Sequence, residues 1–98
     1  MAQRKIIWSP RSGVDLIGIM EFYERRNGNI NYSRKIYDRI RKSLLILKQF
    51  PGIGAKTDFE NVRNLILGDF CVFYKTEKET IEIVAIWDSH QNPNNLNL

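Results

Sequence analysis

Little in this 98-residue chain offers a metal ligand or a covalent crosslink. Cys71 is the one cysteine, which excludes an intrachain disulfide and a cysteine-based metal site. Placed mid-strand, it is expected to be a small buried hydrophobe rather than a nucleophile. His90 is the one histidine. No apolar run approaches the ~18 residues that a membrane span needs. The opening MAQRKIIW is not expected to be a secretory leader, because its apolar run stops at Ser9-Pro10. There is no P-loop, no dinucleotide glycine fingerprint and no metal-ligand spacing, so no cofactor and no metal are expected. Without repeats or linkers, the chain reads as one cytoplasmic domain over 1–98, with an irregular Asn-rich tail over 91–98.

Negative charge is scarce in the first half. Residues 1–56 carry 12 Lys/Arg against 4 Asp/Glu (+8), and residues 57–98 carry 3 against 7 (−4), which leaves a net charge of +4. So basic a half implies either a polyanionic or acidic partner or simply solvated helix faces. The 43% hydrophobic and 27% charged content are those of an ordinary globular domain with one modest core.

What is abundant is strand pattern between Asn61 and Trp87. NVRNLIL precedes Gly68-Asp69, a pair suited to a tight two-residue turn. FCVFYK then alternates, with Phe70, Val72 and Tyr74 on one face and Cys71, Phe73 and Lys75 on the other. Beyond a polar turn at Glu77 to Glu79, strict alternation puts Ile81, Ile83, Ala85 and Trp87 on one face and Glu82, Val84 and Ile86 opposite. RKIIW near the start reads as a first strand that pairs with this meander.

Two helices separate the strands. Ser9 is suited to cap the first and Pro10 to its opening turn. Val14, Leu16, Ile17, Ile19, Met20 and Tyr23 recur at helical spacing to about Arg26, with Asp15, Glu21 and Glu24 on the wet side. Gly28 is suited to a left-handed cap, and Asn29 or Asn31 to capping the next helix. That helix, about Tyr32 to Phe50, has a stripe of Tyr32, Ile36, Ile40, Leu44 and Leu47 widened by Tyr37 and Leu45. Its other side carries Arg34, Lys35, Arg39, Arg41, Lys42 and Lys48. Pro51 stops it, and a loop runs from there to Glu60. The expected fold is α+β in the order β-α-α-β-β-β, a helical hairpin on a small, mainly antiparallel twisted sheet.

Several landmarks stand in order: Trp8-Ser9-Pro10, Phe50-Pro51-x-Ile53-Gly54, Arg63-x-Leu65, Gly68-Asp69-Phe70, Phe73-Tyr74-Lys75, Ile83 to Trp87, and Asn92-Pro93-x-x-Leu96. Over about residues 6 to 96 this set resembles the RelE/ParE superfamily of toxins from bacterial type II toxin–antitoxin modules. The resemblance implies a growth-inhibiting toxin neutralised by a cognate antitoxin that wraps the hairpin and sheet. ParE-like members poison DNA gyrase; RelE-like members are ribosome-dependent mRNA endonucleases. The FPxIG loop, the Arg63 and Tyr74 strands and the Pro93-x-x-Leu96 ending look closer to ParE. Asp88-Ser89-His90-Gln91 stands where that branch carries His-Gly-Arg-like residues and so fits neither branch cleanly.

If RelE-like, the resemblance makes Arg63, His90 and Tyr74 the catalytic candidates. Cleavage by 2′-hydroxyl attack needs a base, a cation at the phosphate and an acid for the leaving oxygen. Lys56, Asp58 and Glu60 lie where some nuclease members keep lysines or a basic carboxylate, although their spacing fits poorly. Arg34, Arg39, Arg41 and Lys42 are the partner-binding candidates, and an exposed remainder of the apolar helix stripe is expected to mark the antitoxin site. A third reading is an inactive or binding-only member of the fold.

Overall fold

The computed structural model describes residues 4–90. Its elements are β1 (Lys5–Trp8), α1 (Pro10–Asn27), α2 (Asn31–Gln49), β2 (Ala55–Lys56), β3 (Val62–Leu67), β4 (Phe70–Thr76) and β5 (Thr80–Asp88). They form the expected two helices on a mostly antiparallel sheet, of strand order β1-β5-β4-β3-β2. Among the described strands only β1 runs parallel to its neighbour, pairing Ile6 with Ile81 and Trp8 with Ile83. The chain cannot return directly to β5 in that sense. The helical hairpin and the meander together make the crossover that a parallel pair requires.

Local signals explain most boundaries. Ser9 caps α1 by accepting from the Ser12 N–H at 3.1 Å, and Pro10 follows at the first helical position. Gly28, at φ 72°, ends it in the left-handed conformation and donates its N–H to the Glu24 carbonyl. The cap of α2 differs from expectation. Ile30 occupies that position without a side-chain bond, and the Asn29 side chain accepts instead from the Asn31 N–H at 3.0 Å. The loop after Pro51 holds one element that two residues cannot announce by periodicity, the short strand β2, which pairs Lys56 with Arg63.

The core lies between the hairpin and one face of the sheet. Leu16, Ile19 and Tyr23 from α1 and Ile36, Ile40, Leu44 and Leu47 from α2 pack on Phe70, Val72, Tyr74, Ile81, Ile83 and Ile86. Each large side chain buried here contributes about 1.5–3 kcal/mol. Five members of the expected apolar faces stay exposed: Val14, Ile17, Tyr32, Tyr37 and Leu45. Cys71 is half-buried on the opposite sheet face, packed beside Val62, Phe73 and Ala85.

One correction concerns β5. Phe73 pairs with Ala85 but Tyr74 pairs with Ile83, so Val84 is an extra residue, a β-bulge. The bulge shifts the alternation by one. Ile81 and Ile83 face the helices, and beyond Val84 that side passes to Ile86 and Asp88, sending Ala85 and Trp87 to the other face. The start of α1 receives the backbone groups around it. Ser9 donates its N–H to the Ile83 carbonyl at 3.1 Å and its hydroxyl to the Val84 carbonyl at 3.0 Å. The Asp15 carboxylate accepts the Ile86 N–H at 3.1 Å, so Asp15 belongs to this joint and not to the wet side of α1.

Candidate functional site

The three catalytic candidates fall in two places. Tyr74 is fully buried in the middle of the sheet. Its hydroxyl donates to the Pro51 carbonyl at 2.7 Å and accepts the Gly54 N–H at 2.9 Å, which uses its one proton and one acceptor position. Burial raises the pKa of the phenol, against the opposing pull of the Gly54 N–H and the nearby Arg63 charge. Arg63 pairs across the ladder with Tyr74 and shares its face. Its guanidinium donates to the Gly54 carbonyl at 2.7 Å and reaches the Gly52 carbonyl at 3.4 Å. Together the two residues hold the loop after α2. At Gly54 a Cβ would lie 2.6 Å from the Tyr74 hydroxyl and 3.1 Å from the Asn64 carbonyl, so only glycine fits. Phe50 and Ile53, 60% and 53% exposed, project from that pinned loop. Lys56, Asp58 and Glu60 share with Arg63 a shallow depression of about 470 Å³.

His90 lies at the other end of the sheet. Asp88 pairs with Phe70, and Phe70 pairs with Leu67, four residues along β3 from Arg63. That separation is about 13 Å of strand. Arg63 and His90 are therefore not brought together.

Around His90 the structure assembles a group that sequence reasoning missed. The buried Asp88 carboxylate accepts the Tyr23 hydroxyl on Oδ2 at 2.8 Å. Its Oδ1 accepts the His90 N–H at 2.9 Å and lies 2.8 Å from the His90 Nδ1. With its proton on Nδ1 the imidazole donates to the carboxylate, leaving Nε2 as the free ring nitrogen. Burial pushes the Asp88 carboxyl upward, but the His90 N–H, the His90 ring and the Tyr23 hydroxyl outweigh it and hold the group below the usual range. Tyr23 is pushed up to about 12, by burial first and by its bond to Asp88 second. It also stacks edge-on with Phe22 and Tyr32 at centroid distances of 5.0 and 4.9 Å. The available signal was Asp88 itself, a carboxylate closing an apolar strand two residues before the one histidine.

This cluster opens on a cleft of about 630 Å³ between α1 and the end of β5, lined by Val14, Gly18, Phe22, Arg25, Arg26 and His90 among others. Among the described residues no group of three or more His, Cys, Asp or Glu could hold a metal, and no helix is long and apolar enough to cross a membrane.

The partner-binding candidates Arg34, Arg39, Arg41 and Lys42 are all exposed on α2. Arg39 reaches over the β3–β4 turn, where its guanidinium would lie 3.1 Å from a Cβ at Gly68. Exposed apolar residues stand with them: Tyr37, Leu45 and Ile46 on α2, and Val14 and Ile17 on α1. The landmark Asn92-Pro93-x-x-Leu96 and the tail over 91–98 lie outside the described residues.

The model of one family, described as ParE toxin of type II toxin-antitoxin system, parDE, matches residues 6–93. In three dimensions the chain is similar to a chain of the chromosomal ParDE TA system from P. aeruginosa, with a TM-score of 0.77 and 22% identity. The match covers 88% of this chain and 96% of that one, and at such identity the likeness is one of fold. No curated protein matches the sequence.

Proposed function

The chain belongs to the ParE toxin family of type II toxin–antitoxin systems, and from that membership we propose that it arrests growth by poisoning DNA gyrase until a cognate antitoxin binds it. The observation that carries the choice of target is the dispersal of the candidate nuclease residues. RNA cleavage asks one phosphate to meet a base, a cation and an acid. Here Arg63 is bonded to loop carbonyls, the Tyr74 hydroxyl is spent within the core, and His90 lies at the far end of the strands. A protein that acts by contact has no need to bring these groups together. Ribosome-dependent mRNA cleavage is the second reading, favoured by the shared depression of Lys56, Glu60 and Arg63.

The antitoxin surface is the outer side of the hairpin. Leu45, Ile46, Val14 and Ile17 supply apolar contact, and Arg34, Arg39, Arg41 and Lys42 add positive charge. An antitoxin segment with apolar and acidic residues matches it.

The test is a supercoiling assay with purified toxin and gyrase beside an mRNA cleavage assay on translating ribosomes. Loss of supercoiling or trapped cleaved DNA, with mRNA intact, is the expected result. Cut mRNA with gyrase untouched sinks the gyrase reading and makes Arg63 and His90 catalytic candidates; His90→Ala then abolishes toxicity at unchanged antitoxin affinity. Silence in both assays leaves an inactive or binding-only member of the fold. Charge reversal at Arg39 and Arg41 is expected to weaken antitoxin binding, and unchanged affinity removes the basic face from the interface.

A further inference from the structure

We propose that the cleft between α1 and the end of β5 binds the phosphate of a nucleoside monophosphate unit, either a free nucleotide or the 5′-phosphorylated end of a strand. The proposal is independent of gyrase as the target. Its basis is which polar groups of the cleft are already used. Both carboxylates are answered within the protein. Asp88 accepts from Tyr23 and His90, and Asp15 accepts the Ile86 N–H and lies 3.6 Å from the Arg11 guanidinium. Among the described residues, the groups left open to a ligand are the Arg25 and Arg26 guanidiniums and the His90 Nε2. Neither arginine makes a salt bridge among the described residues. The free chemistry of the cleft is thus cationic although two carboxylates line it.

Three such groups suit a terminal phosphate better than a carboxylate, because the phosphate brings a third terminal oxygen and up to two negative charges. Asp88 holds the His90 ring by Nδ1. Its Nε2 then donates to a phosphate dianion as imidazolium, or accepts the P–OH of a monoanion as neutral imidazole. The rest of the cleft is apolar and open. Phe22 is 47% exposed and presents a ring on which a base can stack. Gly18 leaves free space, since a Cβ there would meet nothing within 4 Å. The volume, about 630 Å³, falls within the range of small-ligand sites.

The experiment is a calorimetric and amide-NMR titration of the purified chain with AMP, adenosine, a 5′-phosphorylated trinucleotide, its unphosphorylated form and acetate. Binding of AMP, the phosphorylated trinucleotide or both is expected, with shifts at Phe22, Arg25, Arg26 and His90. Binding by both assigns the site to any nucleoside monophosphate. Binding by the trinucleotide alone assigns it to strand ends. The double variant Arg25→Glu/Arg26→Glu, at two exposed positions, should lose about tenfold to a hundredfold in affinity. His90→Gln should weaken binding while the Gly54 amide, held at the other end of the sheet, stays unshifted. The proposal is overturned if neither phosphate ligand binds at millimolar concentration. It is equally overturned if adenosine or acetate binds as well as AMP, or if the charge-reversed protein, folded by circular dichroism, binds unchanged. Supercoiling enters none of these readings, so failure here and failure of the gyrase proposal are separable.

Discussion

Gly54→Ala tests the loop clamp most directly. The added methyl would stand 2.6 Å from the Tyr74 hydroxyl, 2.8 Å from its Cε1 and 3.1 Å from the Asn64 carbonyl. Neither neighbour can yield freely. The Tyr74 ring is fully buried, and Asn64 is held in the ladder opposite Phe73 and Ala55. The loop must lift by several tenths of an ångström, which stretches the Gly54–Tyr74, Tyr74–Pro51 and Arg63–Gly54 bonds, now 2.9, 2.7 and 2.7 Å. Overpacking costs about 1–3 kcal/mol, and leaving buried donors and acceptors unanswered costs about 1–3 kcal/mol each. A loss of about 3–5 kcal/mol follows, a large part of the stability of a domain this size. Tyr74→Phe removes only the hydroxyl, strands the Gly54 N–H and the Pro51 carbonyl, and should cost about 2–4 kcal/mol. In the double variant the closest clash is gone and the same bonds are not lost twice. Its cost should therefore fall about 2 kcal/mol short of the sum. Urea unfolding followed by circular dichroism measures all three. Additivity within about 0.5 kcal/mol, or a Gly54→Ala midpoint equal to that of the parent, would falsify the clamp.

Two further outcomes follow from the joints of β5. The folded pKa of Asp88 is depressed, so its contribution to stability is present above the ordinary carboxylate range and is lost as pH falls through the folded value. Tyr23 has its folded pKa raised from 10.0 to about 12, so its contribution is complete below pH 10 and is lost as pH rises toward 12. Urea midpoints should thus fall at both extremes, and Tyr23→Phe should flatten the alkaline limb. An unchanged alkaline limb refutes the assignment to Tyr23, with Tyr74, also raised, as the remaining contributor. At the bulge, Asp15→Ala removes the acceptor of the Ile86 N–H and should speed hydrogen exchange of that amide by about tenfold or more, while Asp15→Asn, which keeps an oxygen, changes it less. Equal exchange in all three proteins shows that Asp15 does not hold the bulge.

Much of the candidate site was legible residue by residue but not as an arrangement. Strand alternation sets Arg63 opposite Val62 and Asn64, and Tyr74 shares the core face with Phe70 and Val72 as its alternation implies. Nothing along β3 announces that Arg63 turns to the carbonyls of Gly52 and Gly54, because those acceptors become available only when the loop after α2 folds back on the sheet. Helical spacing shows Tyr23 only as one apolar position among several, since its hydroxyl partner lies 65 residues away.

The sequence by itself determined what neighbours in the chain decide. Ser9-Pro10 starts α1, Gly28 ends it, and the stripe through Ile36, Ile40, Leu44 and Leu47 selects the buried face of α2. Gly68, at φ 61°, turns β3 into β4. Capping, periodicity and turn geometry act over a few residues and are written locally. The tertiary structure alone decided the parallel pairing of β1 with β5, the bulge at Val84 and the Tyr23–Asp88–His90 cluster. Strict alternation would have kept Ala85 and Trp87 on the helix side. One extra residue moved them away because Ser9 and Asp15, more than seventy positions earlier, receive the backbone groups around the bulge. Hydrogen bonds of that span depend on where the folded chain brings their partners, which no pattern among neighbouring residues encodes.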